Sequence, residues 1–183
     1  MSSEFGALMQ FGYIVEDIEA AAVDWVKRFG VGPFYVLDRI AMDQYYFRGV
    51  KTELEMRLAF GYWGGMQIEL IQPLNDADTL YARALRSAPG GLNHCAAVVP
   101  DLDTLLERHQ LRDRVIQSGQ MPTGLRFVYL EEYLPGGLHL ELIEAQQGTL
   151  TAFAGMEKAS RVWDGSEPIR PMSRIQDDLA AIH

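Results

Sequence analysis

The chain has 183 residues, a formal net charge of −9 at pH 7, 48% apolar residues and a single cysteine, Cys95. One cysteine excludes an intrachain disulfide framework or a thiolate metal cluster and fits a reducing cytoplasm, and an acidic chain without clustered Lys and Arg argues against nucleic acid as a partner. No apolar run reaches the roughly 18 residues of a membrane span, so a membrane partner is not expected, and MSSEFGALMQ lacks the basic and apolar regions of an export signal.

The first predicted strand opens on a polar residue in QFGYIVEDIEAA, from Gln10. Seven positions later Asp17 begins the helical run DIEAAAVDWVKRFG, where its carboxylate suits an N-cap. Strand-like segments follow at GPFYVLDRI, TELEMRLAF and MQIELI, with the loop AMDQYYFRGV and the turn FGYWGG between them. A linker, NDADTLYARALRSAPGG, holds a short helix and ends in a Pro-Gly-Gly turn. The order then repeats. HCAAVVPDLDTL, from His94, places Asp101 seven positions on, before DLDTLLERHQ and the strands RVIQSG, LRFVYLEE and LHLELIE. The expected architecture is therefore α+β, with two βαβββ modules at 7–73 and 91–146, a linker at 74–90 and a C-terminal helix and arm at 147–183. Leu150, Phe153 and Met156 share one side of that helix. The polar arm after it either packs on its own domain, packs on a partner subunit or is disordered toward its end.

The stretches GGMQIELI and GGLHLELI are near copies, each with a glutamate four residues after its second glycine. Alternation along a strand puts Met66, Ile68 and Leu70, and likewise Leu138, Leu140 and Leu142, on a helix-packed face. Gln67, Glu69 and Ile71, and His139, Glu141 and Ile143, take the other face, as do Glu53, Glu55 and Arg57 of TELEMRLAF. Facing modules then gather Gln10, His94, Glu69 and Glu141, the four repeat-equivalent polar slots, in one concave cavity. An imidazole, an amide oxygen and two carboxylates suit one divalent cation of the zinc, nickel, cobalt, manganese or iron group. Such a cation relieves the repulsion between two buried carboxylates. Taken singly, His94 reads as a hydrogen-bonded structural residue and each glutamate as solvent-facing; the shared spacing of all four favours the metal site. Cys95 alternates away from His94 and reads as a small buried apolar residue.

On QFGYIVEDIEAAAVDWVKRFGVGPF, MQIELIQPL, GGLNHCAAVVPDLD and PGGLHLELIE, the chain resembles the vicinal oxygen chelate superfamily. That superfamily includes glyoxalase I, methylmalonyl-CoA epimerase, extradiol dioxygenases and bleomycin-resistance proteins. The resemblance implies a mixed sheet curled around a metal, with ligands from the first and last strand of each module: Gln10, Glu69, His94 and Glu141. The Gln/Glu/His/Glu order is similar to eukaryotic glyoxalase I, whereas GVGPF and IELIQPL are similar to the epimerase branch. The implied activity is a metal-dependent isomerase, epimerase or lyase that removes a proton next to a carbonyl and holds the enolate on the metal. A sequestering protein of the same fold without turnover is the alternative, and a single histidine among the four slots disfavours a ring-cleaving dioxygenase. Glu141 is the implied base. Glu53 or Glu55 is a second-base candidate or a solvated face, and His139 is either a donor to the intermediate or a support for its neighbour. Tyr45, Tyr46, Arg48, Arg57 and Trp63 are candidates for a substrate wall, with packing against the arm or a partner as the other reading. The substrate is expected to be an acyl-CoA or an apolar or aromatic ketone or acid, and the assembly a homodimer.

Overall fold

A computed structural model describes residues 4–42 and 44–182. The head of MSSEFGALMQ (1–3), residue 43 of the AMDQYYFRGV loop and the last residue of the arm (183) lie outside the described residues.

Asp17 caps the first helix as its position suggests. Its side chain accepts a 2.8 Å hydrogen bond from Ala20 N, and the helix α1 (Ile18–Phe29) ends at Gly30 with φ 65°. The left-handed backbone there suits glycine, which bears no Cβ to clash. Asp101 repeats the device for α3 (Leu102–Arg108), accepting from Thr104 N at 2.9 Å. Between them the linker forms α2 (Leu80–Ser87), capped by Thr79.

The strands are β1 (Leu8–Ile14), β2 (Phe34–Ala41), β3 (Gln44–Phe47), β4 (Val50–Lys51), β5 (Glu55–Trp63), β6 (Met66–Pro73), β7 (Leu92–Val98), β8 (Val115–Gln120), β9 (Arg126–Leu134), β10 (Leu138–Glu144) and β11 (Ile169–Pro171). They form one curled, unclosed mixed sheet in the order β11-β2-β5-β6-β1-β7-β10-β9-β8-β3-β4. Within each half the first strand runs parallel to the last, β1 with β6 and β7 with β10, and the halves join through the antiparallel pair β1–β7. The cup is thus completed within one chain. Its convex side carries two apolar layers. Ile68 and Leu70 pack with Ile18 and Ala22 of α1, and Leu140 and Leu142 with Leu102, Leu105 and Leu106 of α3. A third cluster, including Tyr35, Met56, Leu58, Phe60 and Phe127, fills the concave side.

Two elements close over that side. The AMDQYYFRGV segment is partly a hairpin rather than a loop: β3 and β4 turn through Arg48 and Gly49, both at positive φ, and β3 pairs with β8 across the cup from its own module. Tyr45 and Phe47 face inward and Gln44 and Tyr46 outward, the alternation of a half-buried strand. The second element is α4 (Gln147–Arg161), whose Met156 and Ala159 join the concave cluster and whose Phe153 ring lies 6.1 Å from that of Phe60. The polar arm packs on its own chain. β11 adds in parallel to β2, and Asp178 of α5 (Ile175–Ala180) accepts from the Tyr35 hydroxyl at 2.6 Å and from Arg170 at 2.8 Å. No helix among the described residues is long and apolar enough to cross a membrane.

The Asp178 cluster fastens the arm, because its partners sit in a largely buried setting where an unpaired polar group is costly. Asp178→Ala is expected to lower stability by about 2 kcal/mol in urea unfolding, and to open residues 162–182 to trypsin before the sheet unfolds.

Candidate metal centre

The concave face is organised in two rows of cross-strand neighbours. In the first, Phe60, Glu69, Gly12, His94 and His139 lie side by side across β5, β6, β1, β7 and β10. In the second, Tyr62, Gln67, Gln10, Ala96, Glu141 and Tyr129 follow, one pleat along and extending to β9. Cross-strand partners point to the same side of a sheet, so these registers determine what meets inside the cup. The smallest side chains occupy the seam. A Cβ built on Gly12 would lie 1.8 Å from His94 Cε1, so the missing side chain is what lets the imidazole lie across the joint toward Glu69.

His94 Nε2 sits 3.3 Å from Glu69 Oε2 and 3.3 Å from Glu141 Oε2, and one ligand atom from each residue falls within 4.8 Å of the others. All three are buried, as is Gln10. Gln10 Nε2 donates to Gln67 Oε1 at 2.7 Å, and Gln67 Nε2 donates to the Tyr62 hydroxyl at 2.8 Å. This relay leaves Gln10 Oε1 buried without a partner, and Glu69 Oε2 lacks a hydrogen bond as well. On its other edge, His94 Nδ1 lies 3.2 Å from Asn93 Oδ1; a proton on Nδ1 donated there leaves the Nε2 lone pair facing the carboxylates. Tyr129 completes the surround, its hydroxyl 3.5 Å from His94 Nε2 and accepting from Tyr81 at 3.0 Å.

The electrostatics follow from this crowding. Burial pushes the Glu69 carboxyl up, opposed by its contact with His94 and reinforced by Glu141. Burial alone would lower His94, but Glu141 and Glu69 outweigh it and its pKa is pushed up to about 9. Tyr81 and Tyr129 are held well above the usual tyrosine range, first by burial and then by neighbouring groups including Glu141, so both stay neutral donors.

Residues 9–129 match the family model described as the Glyoxalase/Bleomycin resistance protein/Dioxygenase superfamily. This chain belongs to that superfamily. Among solved structures it is similar to methylmalonyl-CoA epimerase from Mycobacterium tuberculosis, at 18% identity over 82% of this chain and 96% of that one, with a TM-score of 0.57. It is also similar to the hypothetical protein BH1468 from Bacillus halodurans C-125, at 17% identity over 77% and 95% of the two chains, with a TM-score of 0.55. At these identities the likeness is one of fold. No curated protein matches the sequence.

Superfamily members commonly hold a divalent metal, and the donor set here fits one. Two carboxylates and an imidazole nitrogen converge in a space too dry for two bare anions, and Gln10, whose amide oxygen is unpartnered, lines the same cavity as the carboxylates. The other sequence candidates fall elsewhere. His139 neighbours His94 in the row, but its Nδ1 accepts from Glu132 N at 3.0 Å and its ring is outside the cavity lining; burial, then His94, lowers its pKa.

Glu53, Glu55 and Arg57 do not face the cavity. Phe60 pairs with Glu69 and Leu58 with Ile71, which turns Met56, Leu58 and Phe60 inward and the charged set outward. Glu53 is exposed, Glu55 pairs with Arg39, and Arg57 is bound to Glu19 at 2.6 Å and Asp38 at 2.7 Å. Arg48 pairs with Glu131 at the surface, and Tyr46 is exposed beside it. Trp63 stacks on Phe29 on the outside of the cup, with ring centroids 5.2 Å apart. Tyr45 is buried in the concave cluster without lining the cavity.

Sequence reasoning left out Gly12, Gln67, Tyr81, Asn93 and Tyr129 as parts of the centre. A glycine inside a strand, and an Asn directly before the His, were available signals; Tyr81, in the linker helix, carried none.

In the metal-free chain the folded pKa of His94, near 9, exceeds its ordinary 6.5. The stabilisation is therefore complete below pH 6.5 and lost as pH rises through about 9. The melting temperature of metal-stripped protein is expected to fall across that interval in calorimetry, and a bound divalent cation to flatten the fall. Gln67→Met removes the acceptor that orients the Gln10 amide; divalent-cation affinity measured by titration calorimetry should drop about 10- to 100-fold.

Proposed function

We propose that this chain is an isomerase, epimerase or lyase that removes a proton from carbon next to a carbonyl group. The observation that carries this reading is the convergence of Glu69, His94 and Glu141, with both carboxylates and Gln10, whose amide oxygen has no partner, lining one largely apolar cavity. Gln10, Glu69, His94 and Glu141 would hold a divalent cation, which supplies Lewis acidity toward a carbonyl oxygen.

The chain's own groups have distinct tasks. Glu141 takes the proton: it lines the cavity, and its carboxylate reaches the space above His94. Glu69 is the other carboxylate lining that space, so proton return on an opposite face, as an epimerase needs, falls to this pair rather than to Glu53 or Glu55. Tyr129, kept neutral and held by the Tyr81 hydroxyl that donates to it, lines the cavity and offers its own hydroxyl toward oxygen as it gains charge. Asn93 holds the His94 tautomer, and Gln67 holds the Gln10 amide. The apolar walls exclude water, which strengthens each of these interactions.

The test is deuterium uptake from heavy water into candidate carbonyl compounds, followed by NMR on protein whose metal content has been measured. Glu141→Gln should slow exchange at least about 100-fold. Equal exchange in wild type and Glu141→Gln, with no stoichiometric metal, would sink this reading. Tight binding of carbonyl compounds with no exchange at all would instead assign a sequestering protein.

A further inference from the structure

The inner cavity of about 40 Å³ contains the Glu69 and Glu141 carboxylates and is walled by methionine, leucine and phenylalanine side chains. A second, open groove of about 340 Å³ lies on the other side of α4. Phe153 lines both. Leu150, Phe153, Ala154 and Glu157 face the groove at the i, i+3, i+4, i+7 spacing of one helical stripe, with Met9 and Val98 opposite. Tyr62 also lines the groove, and its hydroxyl is the far end of the relay to Gln10.

The charges in these two spaces are one-sided. Among the described residues, Glu69 and Glu141 are the charged side chains lining the inner cavity and Glu157 the one lining the groove, and the cation beside Glu157, Arg161, is held by it at 2.6 Å. The arginines best placed in sequence to meet an acid group, Arg48 and Arg57, are spent on Glu131 and on Glu19 with Asp38 outside the cup. A carboxylate or diphosphate entering here would lose hydration without gaining a cationic side chain.

Resting on the carbonyl reading above, we propose that Phe153 partitions one substrate site into two compartments, and that the substrate is an uncharged ketone with an apolar tail. The tail lies in the groove and the carbonyl end reaches the Glu69–His94–Glu141 centre. The inner cavity alone holds little more than a few waters, so the Phe153 ring must swing about χ1 to join the volumes. Phe153 is then the specificity-determining residue of the site, supplied by the C-terminal helix rather than by either sheet half.

The experiment is titration calorimetry of the whole protein with three probes: benzylacetone (neutral, aromatic tail), phenylpyruvate (anionic) and acetoacetyl-CoA. Benzylacetone is expected to bind at least about tenfold tighter than either anion. Phe153→Trp, which fills the passage, and Leu150→Trp, which fills the groove without entering the concave core, should each weaken benzylacetone binding at least about tenfold. Melting curves identify any variant that fails through misfolding, in which case Leu150→Trp decides. Equal or tighter binding of either anion overturns the inference, as does absence of benzylacetone binding or unchanged affinity in a folded Leu150→Trp protein. Deuterium exchange into bound benzylacetone is read separately. Binding in the expected order without exchange leaves the two-compartment site standing and removes the proton-abstraction reading instead.

Discussion

Placing two carboxylates and an imidazole beneath an apolar roof is the constraint to which the rest of the molecule answers. Each group alone would lose several kcal/mol of hydration on burial, and together they are tolerable only if their charges are matched within a few ångströms. His94, 3.3 Å from both carboxylates, offsets at most one of those charges, so the second calls for a cation or a proton. Its position in turn depends on Gly12, and the Gln10 amide depends on Gln67 and Tyr62. The backbone register across β6, β1, β7 and β10 is therefore as much a part of the centre as the side chains are.

The two halves share a plan but not a chemistry. Gln10 and His94 are equivalent positions, and one gives an amide oxygen while the other gives a titratable nitrogen. Gln67 and His139 are equivalent too. Gln67 turns inward to orient its neighbour, whereas His139 spends its Nδ1 on the backbone of Glu132. The first half also sends β3 over to β8, so each half is incomplete without the other. The backbone keeps the same strand pairing in both halves; the division of labour is in the side chains.

Much of this was legible in the sequence, for identifiable reasons. The Asp N-caps, the paired glycines and the alternation in IELI and LELI each have a local physical cause, so the strands and helices around the centre could be read off directly. The grouping of Glu69, His94 and Glu141 followed from spacing repeated at equivalent positions, and the same spacing put Gln10 on the cavity side. What failed was TELEMRLAF. Alternation separates a strand's two faces without saying which is inward; the Phe60–Glu69 register, fixed by the tight Gly64-Gly65 turn between β5 and β6, decides that Leu58 and not Arg57 enters the cup. The β3–β4 hairpin was hidden because Arg48-Gly49 is not the usual Asn-Gly turn. Phe153 was read onto a helix face, but nothing local told what that face would cover.

The sheet's outermost strands have a different significance. β11 contributes only three residues and β4 only two, yet they occupy the two ends of an eleven-strand sheet. Longer strands left at those ends would present rows of open N–H and C=O groups, a template for joining another sheet. Short terminal strands, one carrying Pro171 and the other ending in Lys51, act as stops against that growth. Growth of the sheet by backbone pairing is thereby discouraged where these short strands cap it, at Phe34–Val36 of β2 and at Tyr46 and Phe47 of β3.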